Sequence, residues 1–264
     1  MEEFNDYELF KSKFYSLSNI DLNLYKEKQM KRRITSLVNK YGLTTYCSFL
    51  EEIKKNSELY GMFINYLTIN VSEFYRNPNQ WVLFENRILK DIFKNKNLEN
   101  IKIWSSACST GDEPYTVVMI LNKYIPLEKI NILATDIDVD AIAKAKTGIY
   151  SSRNMKDLPK EFVDKHFTKI DSDTYQISEK VRKCVNYKQL NLLEDSYPKG
   201  MDIIICRNVL IYFTEEAKNN IMKGFSGALN KDGVLFIGST EQIMNYQSFN
   251  FKPIETFFYQ KVGE

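Results

Sequence analysis

The sequence predicts an α/β protein in two parts: a helical N-terminal domain, then a domain built on a parallel sheet with a small antiparallel insertion. Three observations carry this. Over about the first 95 residues, apolar positions recur at helical spacing. From Ile101 short apolar runs alternate with helical stretches, the rhythm of strands joined by crossover helices. Between Gly148 and Tyr187 that rhythm breaks into closely spaced short runs around Asp171-Ser172-Asp173, which reads as a small antiparallel subdomain at about 150–188.

In the helical part, Met30, Ile34, Leu37, Val38 and Tyr41 share one face of a helix that Gly42 ends. Phe49, Leu50 and Ile53 mark a second helix over Tyr46–Lys55, and a third spans roughly Ser57 to Ile69. Asn77-Pro78 has the form of an N-cap followed by proline at the first helical position, opening a helix to about Lys94. The polar run from Lys94 to Asn100 then marks the domain boundary, giving domains 1–94 and 95–264. Beyond it the predicted strands are Ile101–Ser105, Lys129–Thr135, Val185–Leu190, Met201–Cys206 and Val234–Gly238. The predicted helices are Pro114–Tyr124, Val139–Thr147 and Glu215–Leu229. In the insertion, His166–Ile170, Thr174–Ser178 and Cys184–Lys188 resemble short strands, and Thr256–Lys261 reads as a last edge strand after Lys252-Pro253.

Composition removes several function classes. Of the 264 residues, 44% are hydrophobic, enough for a buried core, and the net charge of +2 does not indicate a globally basic nucleic-acid binder. No apolar run approaches a membrane span, and Met1-Glu2-Glu3-Phe4-Asn5-Asp6 lacks the basic-then-apolar order of a signal peptide. Cys47, Cys108, Cys184 and Cys206 form no C-x-x-C pair, which fits a reduced cytoplasmic protein. With His166 the sole histidine, a Ser-His-Asp triad or a multi-histidine metal centre lacks raw material. Chemistry must run on carboxylates, arginine, lysine, tyrosine, amides or a bound cofactor.

Four segments carry polar groups to plausible ligand positions. Ile103 to Tyr115 (Ile-Trp-Ser-Ser-Ala-Cys-Ser-Thr-Gly-Asp-Glu-Pro-Tyr) turns from the first strand into the first helix, where ligands of open α/β sheets bind. Its single glycine argues against a pyrophosphate cradle, and Thr110-x-x-Glu113 also reads as a capping box. Ala134-Thr135-Asp136-Ile137-Asp138 ends the second strand. There Asp136 is the better candidate for ribose hydroxyls and Asp138 the better helix cap. A ribose-binding acid beside a loop unsuited to pyrophosphate suggests S-adenosylmethionine rather than a nicotinamide dinucleotide. Asp202 to Phe213 delivers Arg207-Asn208 at the end of a buried strand, and Asn70 to Arg76 lies in the helical part, with Arg76 either a carboxylate clamp or a surface charge.

Together these segments resemble the CheR-type chemotaxis receptor methyltransferases. The resemblance rests on Asn-Val-Ser-Glu-Phe-Tyr-Arg (70–76), Trp-Ser-Ser-Ala-Cys-Ser-Thr-Gly-Asp-Glu-Pro-Tyr (104–115), Ala-Thr-Asp-Ile-Asp (134–138), Cys-Arg-Asn-Val-Leu-Ile-Tyr-Phe (206–213) and Gly-Ser-Thr-Glu (238–241), in family order. It implies a helical N-terminal substrate-recognition domain and a Rossmann-like S-adenosylmethionine-dependent methyltransferase domain with an inserted β-subdomain. It further implies that Asn70, Ser72, Arg76, Glu113, Asp136, Asn191, Leu192, Asn208 and Val209 line the cofactor site, with Arg76 and Tyr212 nearest the transferred methyl. Ser72, Tyr75, Asp112 and Ser239-Thr240-Glu241 stand where the family usually has Thr, Phe, Glu and His-Ser-Glu; none of these changes removes a proposed ligand group.

The implied reaction is O-methylation of glutamates on cytoplasmic helices of methyl-accepting chemotaxis receptors, releasing S-adenosylhomocysteine. The implied protein is a cytoplasmic monomer, recruited to receptor arrays at the membrane without inserting into it and binding no nucleic acid. A glutamate of reference pKa ~4.3 is already ionised at neutral pH, so transfer needs orientation rather than a general base. Lys26, Lys28, Lys31, Arg32 and Arg33 cluster at a helix start and suit an acidic receptor helix, or simply form a solvated face. The compact acidic turn at 171–173 suits an acidic C-terminal receptor tether poorly, so direct docking on the basic helix is expected. Two other readings are a nucleic-acid methyltransferase, disfavoured by Cys206-Arg207-Asn208-Val209 in place of an amino-methylating motif, and an adaptor with a dead site, disfavoured by Arg76, Glu113, Asp136 and Tyr212.

Overall fold

The computed structural model describes residues 5–263; the start of the acidic N-terminus, residues 1–4, lies outside them. The chain forms two compact units, one running to Ile69 and including Leu210–Ile221, the other comprising Asn70–Val209 and Met222 onward.

The helical unit holds α1 (Tyr7–Ser18), α2 (Glu27–Lys40), α3 (Tyr46–Lys55) and α4 (Ser57–Thr68). Local chemistry sets the ends: the Thr45 and Asn56 side chains accept the Ser48 and Leu59 N–H groups at the starts of α3 and α4. Gly42, at φ 67°, takes the left-handed turn that follows α2. The core is aromatic, with the Phe63 ring meeting Phe14 and Phe49 edge-on, each at 5.2 Å. Leu210–Ile221 joins this unit through a bridge between Tyr25 and Phe213 and the Thr214 N–H bond to the Leu24 carbonyl.

The second unit opens with α5 (Pro78–Leu83), which continues as a π-helical stretch, Phe84–Leu89, into α6 (Lys90–Asn95). Its main sheet has the order β6-β2-β1-β7-β8-β10-β9. The parallel strands are β1 (Ile103–Ser105), β2 (Ile132–Asp136), β6 (Val185–Gln189), β7 (Met201–Cys206) and β8 (Leu229–Ile237); β10 (Phe258–Lys261) runs antiparallel between β8 and the edge strand β9 (Phe251–Glu255). All six residues of β7 are buried, as expected of a central parallel strand covered on both faces. Crossovers are made by α7 (Asp112–Leu121), α8 (Val139–Thr147) and α11 (Glu215–Ala228). A separate antiparallel sheet, β3 (Ile149–Ser151), β5 (Thr174–Ile177) and β4 (Phe167–Lys169), carries α9 (Lys160–His166) and is followed by α10 (Glu179–Arg182).

Several expectations need correction. The units divide at Ile69/Asn70, not at the polar run 94–100, because Trp81 and Phe84 pack on Phe236 of the sheet. Asn70–Arg76 belongs to the sheet unit for the same kind of reason: Phe74 packs edge-on against Tyr150 and Phe167, and the Tyr75 N–H bonds the Thr116 hydroxyl. The third strand of the small sheet is β3; Cys184–Lys188 contributes instead to β6, the outer parallel strand. The last strand is not the edge, since β9 pairs outside it. Asn77 precedes the helix at φ 63° without capping it; its side chain serves Arg207.

Candidate functional site

The strand order reverses between β1 and β7, and the carboxyl ends of β1, β2 and β7 converge there, the usual ligand position in such sheets. The loop after β1 is bonded to both neighbours: the Ser106 N–H reaches the Ile205 carbonyl and the Cys108 N–H the Thr135 carbonyl, both at 2.9 Å. Ser109 turns back at φ 46° and its N–H donates to Asp136 Oδ2 at 2.7 Å. The other oxygen of Asp136 accepts the Asp138 N–H. A carboxylate has about four lone-pair sites, so Asp136 retains acceptor capacity after these bonds. Burial holds its pKa up at about 6, against the pull of those N–H groups.

Asp138 caps α8 by accepting from the Asp140 and Ala141 N–H groups, as its spacing predicts. Its second oxygen takes the Asn70 amide at 2.6 Å, and the Asn70 carbonyl oxygen accepts from the Ser109 hydroxyl. Asn70 therefore braces the loops after β1 and β2.

The capping-box reading of Thr110 and Glu113 does not hold. Thr110 bonds Asp112, while Gly111 stands at the N-cap of α7 with no side-chain cap. Glu113 turns instead toward the strand ends, where Ser105 donates to Oε1 at 2.8 Å and the Arg207 guanidinium stands 3.7 Å from Oε2. Burial raises its pKa to about 7; Arg207 and Ser105 only partly offset this, and the Glu241 charge adds to it. Arg207 is clamped between the Trp81 and Phe236 rings and donates to the Arg76 carbonyl at 2.8 Å and to Gln80 Oε1 at 2.7 Å. It thereby fixes the backbone of Arg76 between two left-handed residues, Tyr75 and Asn77. The Arg76 guanidinium bonds the Val71 carbonyl, closing the segment on itself.

Of the remaining candidates, Ser72 hydrogen-bonds Asp112. Asn191 and Leu192 follow β6 in a turn where Asn191 Oδ1 accepts the Leu193 N–H. Asn208 takes φ 61° directly after β7. Tyr212 belongs to the helical unit, where its carbonyl accepts the Lys26 N–H at 2.8 Å. His166 is buried and neutral, with burial lowering its pKa to about 4, in keeping with a structural place in the insertion. Burial drives the Cys108 thiol well above its ordinary range, so it is no thiolate.

Sequence reasoning misses three supporting residues. Arg207 and Glu241 stand inside the motif blocks, and a charge immediately after an apolar strand is a readable signal. Asn154 gives none, yet its amide donates to both Asp112 and the Ser72 carbonyl, and its own carbonyl accepts the Phe74 N–H.

A sheet of this order, with acidic groups rather than a glycine-rich pyrophosphate turn at its switch point, fits the class of S-adenosylmethionine-dependent methyltransferases. The model of the CheR methyltransferase SAM binding domain matches residues 70–258, and that of the CheR methyltransferase all-alpha domain matches 5–68. The chain belongs to the CheR methyltransferase family. It is 41% identical over 243 residues to the chemotaxis protein methyltransferase of Listeria monocytogenes, covering 92% of each chain. That of Listeria innocua is 39% identical over 92% of each chain, and that of Borreliella burgdorferi is 34% identical over 89% of this chain and 87% of its own.

The residues fit this cofactor. Glu113, Asp136 and Glu241 are largely buried around one buried arginine, Arg207, whose ion pair with Glu113 is long at 3.7 Å. An excess of buried carboxylate suits a ligand that brings a sulfonium, an ammonium and ribose hydroxyls.

Proposed function

We propose that this chain forms methyl esters on glutamate side chains in the cytoplasmic helices of methyl-accepting chemotaxis receptors. The observation that carries this reading is the pairing of partly buried Glu113 with buried Asp136 near the strand ends, in a chain that shares both family domains with proteins named chemotaxis protein methyltransferase. When bound, S-adenosylmethionine supplies an electrophilic sulfonium methyl. Asp136 accepts from the ribose hydroxyls with its remaining lone pairs, and Glu113 faces the ligand's ammonium. Asn70, Ser72, Asn191, Leu192, Asn208 and Val209 complete the lining. Arg76 holds cofactor and substrate in register, as an orienting contact rather than a tight ion pair, which would blunt the attacking oxygen. Tyr212 positions the substrate carboxylate through its hydroxyl. The glutamate arrives as an anion, so the protein's contribution is in-line placement, worth on the order of 7–11 kcal/mol in well-aligned cases.

The substrate side is the helical unit. Lys26, just before α2, and Lys28 and Arg32 on it are exposed, whereas Arg33 lies over the Tyr66 ring at 4.4 Å and Lys31 over Tyr7 at 5.6 Å. The docking charge is thus carried by the first three. The enzyme works in the cytoplasm against membrane-anchored receptors, and among the described residues no helix is long and apolar enough to cross a membrane. The test is transfer of labelled methyl from S-adenosylmethionine to receptor-containing membranes of the same cell. Alkali-labile label on receptor bands is expected. Alkali-stable label, or label on nucleic acid, would overturn the reading, and absence of cofactor binding in calorimetry would mark an adaptor with a dead site.

A further inference from the structure

The Gly238–Glu241 block supplies one of the buried acids of the site, Glu241, and its geometry gives that acid a second part. Glu241 is 4% exposed and lies just after β8, the parallel neighbour of β7. One of its oxygens, Oε2, accepts two backbone N–H groups: that of Gly238 in its own turn at 2.6 Å, and that of Asn208 in the loop after β7 at 2.9 Å. A single carboxylate oxygen therefore ties together the carboxyl-end loops of two adjacent strands. The tie is close because Gly238 has no side chain. A Cβ there would stand 2.7 Å from both Asn208 N and Glu241 Oε2. The residue so held, Asn208, is a non-glycine in the left-handed region, a conformation that persists only where its surroundings impose it.

We propose that Glu241 is a positioning residue for the cofactor site, holding the Asn208-Val209 turn in the shape that receives S-adenosylmethionine. This rests on the assignment of Asn208 and Val209 to that site. Bonds from two backbone N–H groups to a carboxylate are stronger than bonds to a neutral acceptor. Glu241 also acts through charge. Glu113 is faced by Ser105 at the end of β1, Arg207 after β7, Arg76 from the 70–76 segment and Glu241 after β8; the first three favour its ionised form and Glu241 opposes it.

The experiment compares Glu241→Gln and Glu241→Ala with the parent. It reads S-adenosylhomocysteine and S-adenosylmethionine affinity by calorimetry across pH, melting temperature, and amide exchange of Gly238 and Asn208 by NMR. Glu241→Gln keeps an acceptor of the same shape. It should fold, bind about tenfold more weakly at pH 8, and shift the pH midpoint of binding to lower pH, which a purely structural role would not do. Glu241→Ala should speed exchange at both amides and weaken binding further. Parental affinity and an unmoved pH profile in Glu241→Gln would overturn the proposal, whether or not Glu241→Ala folds. So would fast amide exchange in Glu241→Ala with unchanged affinity. Failure of the parent protein to bind either ligand would overturn the cofactor assignment itself, and that is read before any variant is made.

Discussion

Asp136 ends β2 as a buried acid and Glu113, in the first turn of α7, is a partly buried one, and their environments make different predictions. Asp136 offers residual lone pairs after accepting two backbone N–H groups. Asp136→Ala should weaken S-adenosylmethionine binding by about 1.5–3 kcal/mol, or one to two decades in Kd. Asp136→Asn, which retains one acceptor for the loop, should lose less; unchanged affinity in both variants would remove Asp136 from the site. For Glu113 the informative variable is pH. Its pKa in the free protein is held up at about 7, and a cationic ligand binds the ionised form. Affinity should therefore fall as pH drops through 7, to about a tenth at pH 6 of its value at pH 8, with Asp136 adding to the loss near 6 and below. A flat Kd across this range would show that Glu113 meets no cation. The same raised pKa has a sign for stability. The contribution is present below the unfolded value of 4.5 and is lost as pH rises through about 7. Glu113→Gln should thus melt above the parent at pH 8 and lose that advantage at pH 5.

Whether an element is legible in the sequence depends on whether its reason is local. Met201–Cys206 can be read to the residue because a fully buried parallel strand needs an unbroken apolar run, and Tyr46–Lys55 because Thr45 and Asn56 cap its surroundings. β3 is only three residues long, and β9 contains Pro253, which demotes any strand reading unless the edge position is known. The domain boundary is invisible for a tertiary reason: residues 94–100 are a polar stretch running from the end of α6 into a short 3-10 turn, but nothing in their spacing tells that Trp81 and Phe84 pack on Phe236. In the site, the motif blocks give the acids and Arg76, whereas the brace at Asn154 comes from the small insertion and has no signal of its own. That brace predicts a coupling between elements. Asn154→Ala removes the donor that serves Asp112 and the Ser72 carbonyl, leaving a buried carboxylate with less support. We expect a loss of about 1–3 kcal/mol in stability, read by denaturant unfolding, and weaker cofactor binding. Full stability and affinity would show that the insertion does not support the cofactor loops.

For the whole molecule, the exposed charges on α2 predict how the receptor is found. Charge reversal at Lys28 and Arg32 should slow methylation most at low salt, since steering by exposed charges is screened within about 10 Å at 0.1 M ionic strength. Arg33 is left out of that variant because it also packs on Tyr66. Removing the receptors' C-terminal tails should have little effect. The measurement is methylation rate on tailed and tailless receptors with parent and variant enzyme. A large loss on tail removal, with charge reversal harmless, would restore a tether.

The chain passes between the two units three times, at Ile69, at Val209 and again at Ile221, and only the first crossing lies near the boundary between the family's two domain matches. No single cut can therefore excise either half intact. A fragment beginning at Asn70 would carry Leu210–Ile221 without Leu24 and Tyr25, the residues to which Thr214 and Phe213 are bonded and bridged. Such a fragment should aggregate or require the missing helices supplied in trans. Grafting the helical half onto another catalytic half would have to transplant this second segment with it.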